Sequence, residues 1–408
     1  MDIRRLDEAD QTSGGLAGKT ALVRVDFNLP RNEDGSISDD TRLRSALPTI
    51  NYLREHGAAV ILLSHFGRPT AGKSDPALSL AFVAGPLAEA IEAPVRFLTT
   101  PNINVLDDLG PGDVLIMENT RFLKGETEND PDLAKELAQF GDLFVMDAFS
   151  AAHRAHASSA GIADHLPTYA GLAMARELDH LAQALDHPEK PVMAIVGGAK
   201  VSSKIDLLEN LVTKLDRLAI GGGMANTFLL AKGHDVGKSL AEPDLLGKAT
   251  DILKAARKAG CEIILPVDAV CATEFKEGAD TRVVAMTDAA KGNVKANEMI
   301  LDVGPDTVTE LMDAMDKSKT LIWNGPLGAF ETPPFDTSTI EAAKYAARLT
   351  RAGKLIAVAG GGDTVAALNA ADVVDDFTFV STAGGAFLEW MEGKPLPGVD
   401  IVTKGQSA

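Results

Sequence analysis

What most constrains this chain is the alternation of short apolar runs with longer amphipathic stretches. The runs are ALVRVDF, AAVILLS, DVLIME and DLFVMD in the first half, then VMAIVG, RLAIG, CEIILPV, TLIWNG, LIAVAG and FTFVS. Between them lie stretches such as DPDLAKELAQFG, SKIDLLENLVTKL, DLLGKATDILKAARKAG and STIEAAKYAARLTRAG, with apolar residues at helical spacing. Strands apolar on both faces and joined by crossover helices form parallel sheets. At 408 residues the chain exceeds what one such core usually holds, so two domains are expected. The fold class is α/β, two doubly wound parallel-sheet domains. The stretch 172–191 contains no strand and reads as a connecting helix entering the second domain at Pro191. Pro48, in RLRSALPTINYLREHG, either kinks its helix or marks its first turn.

Loops that follow parallel strands gather at the carboxyl edge of the sheet, where residues distant in sequence converge. Arg42, Arg68, Arg121 and Arg154 occupy such places, in DDTRLRSALP after VRVDFNLP, in SHFGRP, in ENTRFLKGE and in DAFSAAHRAHAS. Guanidinium groups fork onto phosphate and carboxylate oxygens, so a convergent set suggests a small-polyanion site. Asp26 and Asn28, at the edge of the first strand, either close a turn or contact a substrate hydroxyl. The second half places glycine-rich turns after its strands, in VGGAKVSSK, IGGGMANTF, WNGPLGAFE and AGGGDTV. Glycine lets a backbone approach a ligand closely, and the first amides of the next helix can bind an anion. Nucleotide phosphate is the expected anion.

The net charge of -19 argues against nonspecific nucleic-acid or membrane-surface binding, so the arginines must act locally. Cys261 and Cys271 form neither a disulfide framework nor a metal-ligand spacing, and read as small core side chains. MDIRRLDEAD lacks the pattern of a signal peptide, and no apolar stretch approaches the roughly 18 residues of a membrane span, so a cytoplasmic location is expected. GGLAGKT is not a P-loop: Ser13 stands where the pattern needs glycine, and the strand follows it. His153 and His156 have no carboxylate-and-histidine set around them, which favours a structural or supporting role over metal binding.

Taken in order, VRVDFNLP, SHFGRP, ENTRF, DAF with AHRAHAS, VGGAKV, GGGMANTF, WNGPLGAFE and AGGGDT closely resemble the phosphoglycerate kinase family, from about residue 20 to GKPLPGV. The resemblance implies a hinge enzyme with its active site in the interdomain cleft. Its reaction would be reversible phosphoryl transfer from 1,3-bisphosphoglycerate to MgADP, giving 3-phosphoglycerate and MgATP. The implied divisions are 1–172 for 3-phosphoglycerate, 173–389 for the connecting helix and nucleotide domain, and a tail, 390–408, returning to the first domain. Carried across, Asp26, Phe27 and Asn28 contact the glycerate part, and His65, Phe66, Gly67, Arg68, Arg121 and Arg154 hold the non-transferred phosphate. Arg42 and Lys204 attend the moving phosphoryl group. Lys200, Lys204, Glu331, Gly361, Gly362, Asp363 and Thr364 form the nucleotide side, with Asp363 as the Mg2+ ligand and Gly384 and Gly385 as transition-state amides. A monomer is expected.

Three positions depart from the family pattern: Phe66 replaces Leu, Ser203 replaces Asp and Ala383 replaces Gly. Packing is expected to absorb Phe66. Loss of a negative charge at Ser203 should tighten anion binding slightly, and Ala383 can still donate its amide from a negative backbone angle. A nicotinamide-dependent dehydrogenase is the competing enzyme class, disfavoured because neither GGGMAN nor GGGDTV completes GxGxxG. A noncatalytic metabolite-binding protein is the third reading, and it predicts loss of Arg42, Lys204 or Asp363. All three residues are present.

Overall fold

The apolar runs become strands because both of their faces are covered: Ala59–Leu63, Val114–Met117, Leu143–Met146, Val192–Val196 and Thr320–Asn324 are buried at every position. These come from a computed structural model that describes residues 1–11, 14–287 and 293–404. Ser13 of the P-loop look-alike lies outside them. The chain divides into two units, Met1–Asp179 with Pro395–Ala408, and His180–Lys394.

The first unit holds β1 (Thr20–Arg24), β2 (Ala59–Leu63), β3 (Val95–Leu98), β4 (Val114–Met117), β5 (Leu143–Met146) and β6 (Thr168–Ala170). They form one parallel sheet in the order β3-β4-β2-β1-β5-β6. Its order reverses at β1, between β2 and β5; the segments leaving those strands carry Arg42, Arg68 and Arg154, and Arg121 follows β4. Val23, Leu62, Ile116 and Val145 pack against Leu43, Ile50 and Leu53 of helix Thr41–Glu55. That helix starts where the Asp39 carboxylate accepts the Thr41 N–H and hydroxyl, at 2.8 and 2.5 Å, which puts Arg42 in its first turn. Pro48 lies well inside it, beyond the first turn.

The second unit holds β7 (Val192–Val196), β8 (Arg217–Ile220), β9 (Glu262–Ile264), β10 (Asp268–Ala272), β11 (Thr281–Ala285), β12 (Met299–Val303), β13 (Thr320–Asn324), β14 (Ile356–Gly360) and β15 (Phe379–Ser381). Six of them form a parallel sheet, β15-β14-β13-β7-β8-β9, with its switch point at β7. An alanine face of helix Thr337–Arg351 (Ala342, Ala343, Ala346 and Ala347) sits against Ile195, Leu321 and Trp323 of this sheet.

The remaining three strands form an antiparallel sheet, β11-β10-β12, which departs from the purely parallel expectation. The run CEIILPV supplies β9, which ends before Pro266, and the next strand, β10, begins at Asp268 on the other sheet. Cys261 and Cys271 are both buried, and burial pushes their thiols up to about 11, so they behave as core side chains. The stretch after 172 is helix Leu172–Leu181 followed by a π turn, Ala182–Asp186. Among the described residues no helix is long and apolar enough to cross a membrane.

Candidate active site

In the first unit, the residues after β1, β2, the Thr120–Phe122 turn and β5 line one cavity of about 250 Å3. Arg24, Asn28, His65, Gly67, Arg68, Arg121, Arg154 and His156 all face it. Sequence reasoning missed Arg24, the last residue of β1, although an arginine within an otherwise apolar strand is itself the anomaly that could have marked it. It is fully buried, and its guanidinium donates to the Val25 carbonyl at 2.5 Å and to His65 Nδ1 at 3.0 Å. Arginine can only donate, so His65 accepts at Nδ1 and keeps its proton on Nε2. Burial, reinforced by Arg24 and Arg121, lowers His65 to about 2. It is a neutral donor at any physiological pH.

Arg121 donates to the Gly67 carbonyl at 2.5 Å, while its Nε is buried without a hydrogen bond. Burial first, then Arg24 and Arg154, lowers its affinity for its proton. Arg68 and Arg154 are exposed. The buried counter-charge here is Glu126, whose carboxylate is taken up by Ser158 through N–H and hydroxyl at 3.0 and 2.5 Å. The cluster therefore presents an excess of positive charge that a dianion would relieve.

Beside it, Asp26 accepts the Asn28 N–H at 3.0 Å and the Ser150 hydroxyl at 2.5 Å, and pairs with Arg42 at 3.3 Å. Arg42 also donates to the Asn28 carbonyl at 2.8 Å, and the Asn28 side chain accepts the Gly67 N–H at 2.9 Å. Asp26 and Asn28 thus close the turn and also tie Arg42 and Gly67 to it. The Phe27 ring is buried in the core, and its N–H donates to Ser64 Oγ at 2.8 Å, so it holds the loop and does not face the cavity. Phe66 packs on Phe82, with ring centroids 5.1 Å apart, so packing does absorb this departure. His156 is buried, and burial lowers it too.

In the second unit, a largely apolar cavity of about 500 Å3 is walled by Gly198, Gly222, Gly223, Asn226, Leu240, Phe275, Leu301, Asp302, Pro326, Leu327, Glu331 and Asp363, among others. The glycines are there for backbone approach: a Cβ on Gly197 would lie 1.8 Å from the Pro326 carbonyl oxygen, and one on Gly325 2.2 Å from that of Gly197. The turns after β7 and β13 therefore pack main chain on main chain. Of the nucleotide-side candidates, Glu331 and Asp363 line this cavity. Lys204 stands beside Gly198 and donates to the Gly197 carbonyl at 2.6 Å and to Asn324 Oδ1 at 2.6 Å. Burial lowers its ammonium to about 8, opposed by the charge of Asp363. Lys200 is exposed, and the Thr364 hydroxyl is buried, accepting the Gly325 N–H at 2.7 Å.

Gly361 sits at φ 98°, a conformation reserved for glycine, and starts helix Gly362–Ala370 with Asp363 in its first turn. Gly384 and Gly385 open helix Gly385–Met391, away from the cavity lining. Ala383 has no positive φ, and its N–H donates to Ser381 Oγ at 3.2 Å. The Ser203 hydroxyl donates to the Lys200 carbonyl at 2.7 Å. Sequence reasoning also missed four residues of this lining: Asn226 lies in the IGGGMANTF turn but past its glycines, Leu240 and Phe275 are single apolar loop residues that no motif marks, and Asp302 hides in the apolar strand β12.

The profile of the family described as phosphoglycerate kinase matches residues 11–394. The chain belongs to the phosphoglycerate kinase family. It is accordingly an enzyme, a kinase with the family's activity of reversible phosphoryl transfer in glycolysis. The phosphoglycerate kinase of Maricaulis maris is 59% identical over 405 residues, covering 98% of both chains. That of Zymomonas mobilis is 55% identical over 403 residues, covering 98% of this chain and 99% of the other. The solved phosphoglycerate kinase of Coxiella burnetii superposes with a TM-score of 0.88 at 42% identity, over 96% of this chain and 98% of that one. That of Pyrococcus horikoshii OT3 gives 0.78 at 29% identity, over 98% of each.

Proposed function

We propose that the first unit's cavity binds 3-phosphoglycerate or 1,3-bisphosphoglycerate and the second unit's cavity binds ADP or ATP with Mg2+, in a cytoplasmic monomer. The observation that carries this reading is the convergence of Arg24, Arg68, Arg121 and Arg154 on one small cavity, in a chain whose net charge is -19. Such a site suits a compact phosphate dianion, held by Arg68, Arg121 and Arg154 with His65 donating from Nε2. Asp26 and Asn28 are assigned to the glycerate part and Arg42 to the phosphoryl group that moves.

On the nucleotide side, the apolar cavity takes the base, Glu331 the ribose, and Lys200, Lys204 and the amides at Gly361, Gly362 and Thr364 the phosphates. Gly384 and Gly385 are assigned to the transition state. Asp363 fits Mg2+, because this ion takes one or two carboxylates plus phosphate oxygens, and among the described residues no group of three or more His, Cys, Asp or Glu could hold a metal without such help. When bound, Mg2+ would neutralise charge on the phosphates.

The reaction exchanges one ionised oxygen nucleophile for another, the carboxylate of 3-phosphoglycerate and the β-phosphate of ADP, so no general base is required. Its demand is electrostatic: negative groups must meet, with charge spread over a loose phosphoryl transition state. Arg42 and Lys204 would meet that charge with preorganised donors. Because the two assigned sites belong to different units, the proposal also requires a hinge motion that brings the reactants together and excludes water. ATP formation from 1,3-bisphosphoglycerate and MgADP, followed in a coupled assay, tests the reading. Binding of nicotinamide cofactor without ADP binding would overturn it.

A further inference from the structure

Arg154 reaches the phosphate cavity from the loop that follows β5, so what holds that loop sets where its guanidinium stands. That segment leaves β5 through a turn at Phe149–Ala151 and runs through Ala152 to His153 and Arg154. Behind the cavity, the Ser159 hydroxyl donates to the Arg154 carbonyl at 3.2 Å. A further support comes from the far end of the chain. Gly398, buried in the short helix Pro397–Asp400, donates its N–H to the Ala152 carbonyl at 2.9 Å. That carbonyl belongs to the peptide unit leading into His153.

The approach leaves no room for a side chain. A Cβ on Gly398 would lie 2.7 Å from Ala152 Cα, 2.9 Å from Ala152 Cβ and 2.9 Å from Met146 Cε. Ala152 and Met146 are themselves fully buried; the Met146 Cε is the end of a flexible side chain and can shift, so it is the contact with the Ala152 main chain at Cα that forces a displacement. Gly398 is not at a positive φ, so its backbone would accept alanine. Its glycine is required by contact alone. The tail is fixed independently: Thr403 bridges to Ile3, the Arg4 N–H donates to the Val402 carbonyl at 2.7 Å, and Lys404 pairs with Glu8 at 3.0 Å.

We infer that Gly398 is a positioning residue for phosphate binding: through Ala152 it sets the height of the His153–Arg154 segment over the cavity. This rests on the assignment of Arg154 to the substrate phosphate. Restoring ordinary contact around an added methyl group requires a displacement of about 0.7 Å, from 2.7 to 3.4 Å. Misplacement of that order at a positioning contact costs up to about 100-fold.

The experiment compares Gly398→Ala, Arg154→Ala and Val402→Ala in the full chain, measuring KM for 3-phosphoglycerate, KM for MgATP, kcat and the urea midpoint. Val402 is fully buried in the tail and its carbonyl accepts the Arg4 N–H at 2.7 Å, away from the Gly398–Ala152 hydrogen bond, so Val402→Ala serves as the control for loosening of the tail. Gly398→Ala is expected to raise the 3-phosphoglycerate KM about tenfold or more, with the MgATP KM unchanged, and Ala152→Gly placed on top of it should recover part of the loss. If Arg154→Ala leaves the 3-phosphoglycerate KM unchanged, the phosphate assignment fails. If Arg154→Ala raises it while Gly398→Ala does not, or raises it no more than an equally destabilising Val402→Ala, the inference about Gly398 fails and the phosphate assignment stands.

Discussion

Replacing Lys204 with methionine should separate what this ammonium does for catalysis from what it costs the fold. Nζ donates to the Gly197 carbonyl, Asn324 Oδ1 and the Asn324 carbonyl at 2.6, 2.6 and 3.2 Å, yet burial still lowers it from 10.5 to about 8. A difference of that size corresponds to about 3 kcal/mol between the two protonation states. The sign follows from proton counting. Below about 8 both folded and unfolded chains carry the proton, and the fold bears the full burial cost. Between about 8 and 10.5 the unfolded chain binds more protons than the folded one, so stability rises with pH across that window.

Urea unfolding of the wild type and of Lys204→Met from pH 7 to 10.5 reads this directly, because their difference cancels every other titrating group. Methionine also takes the Lys204 donor from the Gly197 carbonyl and Asn324 Oδ1, while the Asn324 carbonyl keeps the Gly197 N–H, but these groups do not titrate and add only a constant. The wild type should therefore gain on the variant by up to about 3 kcal/mol across the window. Activity should move the opposite way. The wild-type kcat/KM for nucleotide, which reports the free enzyme, should fall as pH passes about 8. In kcat the fall should come at higher pH, since a phosphate beside Nζ favours its charged form. A stability difference that stays flat, together with a kcat/KM that does not break near 8, would show that Lys204 is not the burdened cation described here.

Arg42→Ala should lower kcat by about 10³-fold or more while leaving equilibrium binding of either substrate little changed, whereas Arg68→Ala or Arg121→Ala should chiefly raise the KM for 3-phosphoglycerate. Stopped-flow turnover with equilibrium titration distinguishes the cases, and an Arg42 defect confined to KM would make it a positioning residue. Asp147 is buried and caps helix Leu172–Leu181 by accepting the Ala173 and Met174 N–H groups at 2.9 and 3.1 Å, and burial raises its carboxyl from 3.8 to about 7. Its folded-state affinity for the proton is the higher one, so its contribution is complete below pH 3.8 and is lost as pH rises towards 7. Asp147→Asn should remove up to about 4 kcal/mol of that slope in denaturation curves, and an unchanged slope would place the titration elsewhere.

The two parallel sheets were legible because their strands are apolar at nearly every position and end in charges or glycines. What was not legible lacked that contrast. Edge strand β3 is only partly buried, β6 is three residues long, and β11 alternates exposed and covered residues, so none stands out as a continuous run. The basic site was readable from Arg68, Arg121 and Arg154, each following a strand, but Arg24 is buried in the strand that carries it and Glu126 is a buried carboxylate with no motif around it.

The nucleotide-side cavity shows why a motif reading reaches only part of such a site. Phosphoryl transfer between ionised oxygens asks for no base, so no Ser-His or paired-carboxylate signature is needed, and what must be supplied is backbone approach, cations and an apolar slot. Backbone approach leaves a mark, because contacts of 1.8 and 2.2 Å to a neighbouring carbonyl oxygen exclude any residue but glycine at positions 197 and 325. Cations leave a mark as Lys200 and Lys204. The slot leaves none, since Leu240 and Phe275 are ordinary loop residues whose exposure, 50% and 58%, is visible only after folding. Two large apolar side chains left open at one cavity rim have a physical use in receiving a flat ligand face. The role proposed for them would therefore rest on tertiary placement, while the one proposed for Gly197 and Lys204 is already marked by residue type.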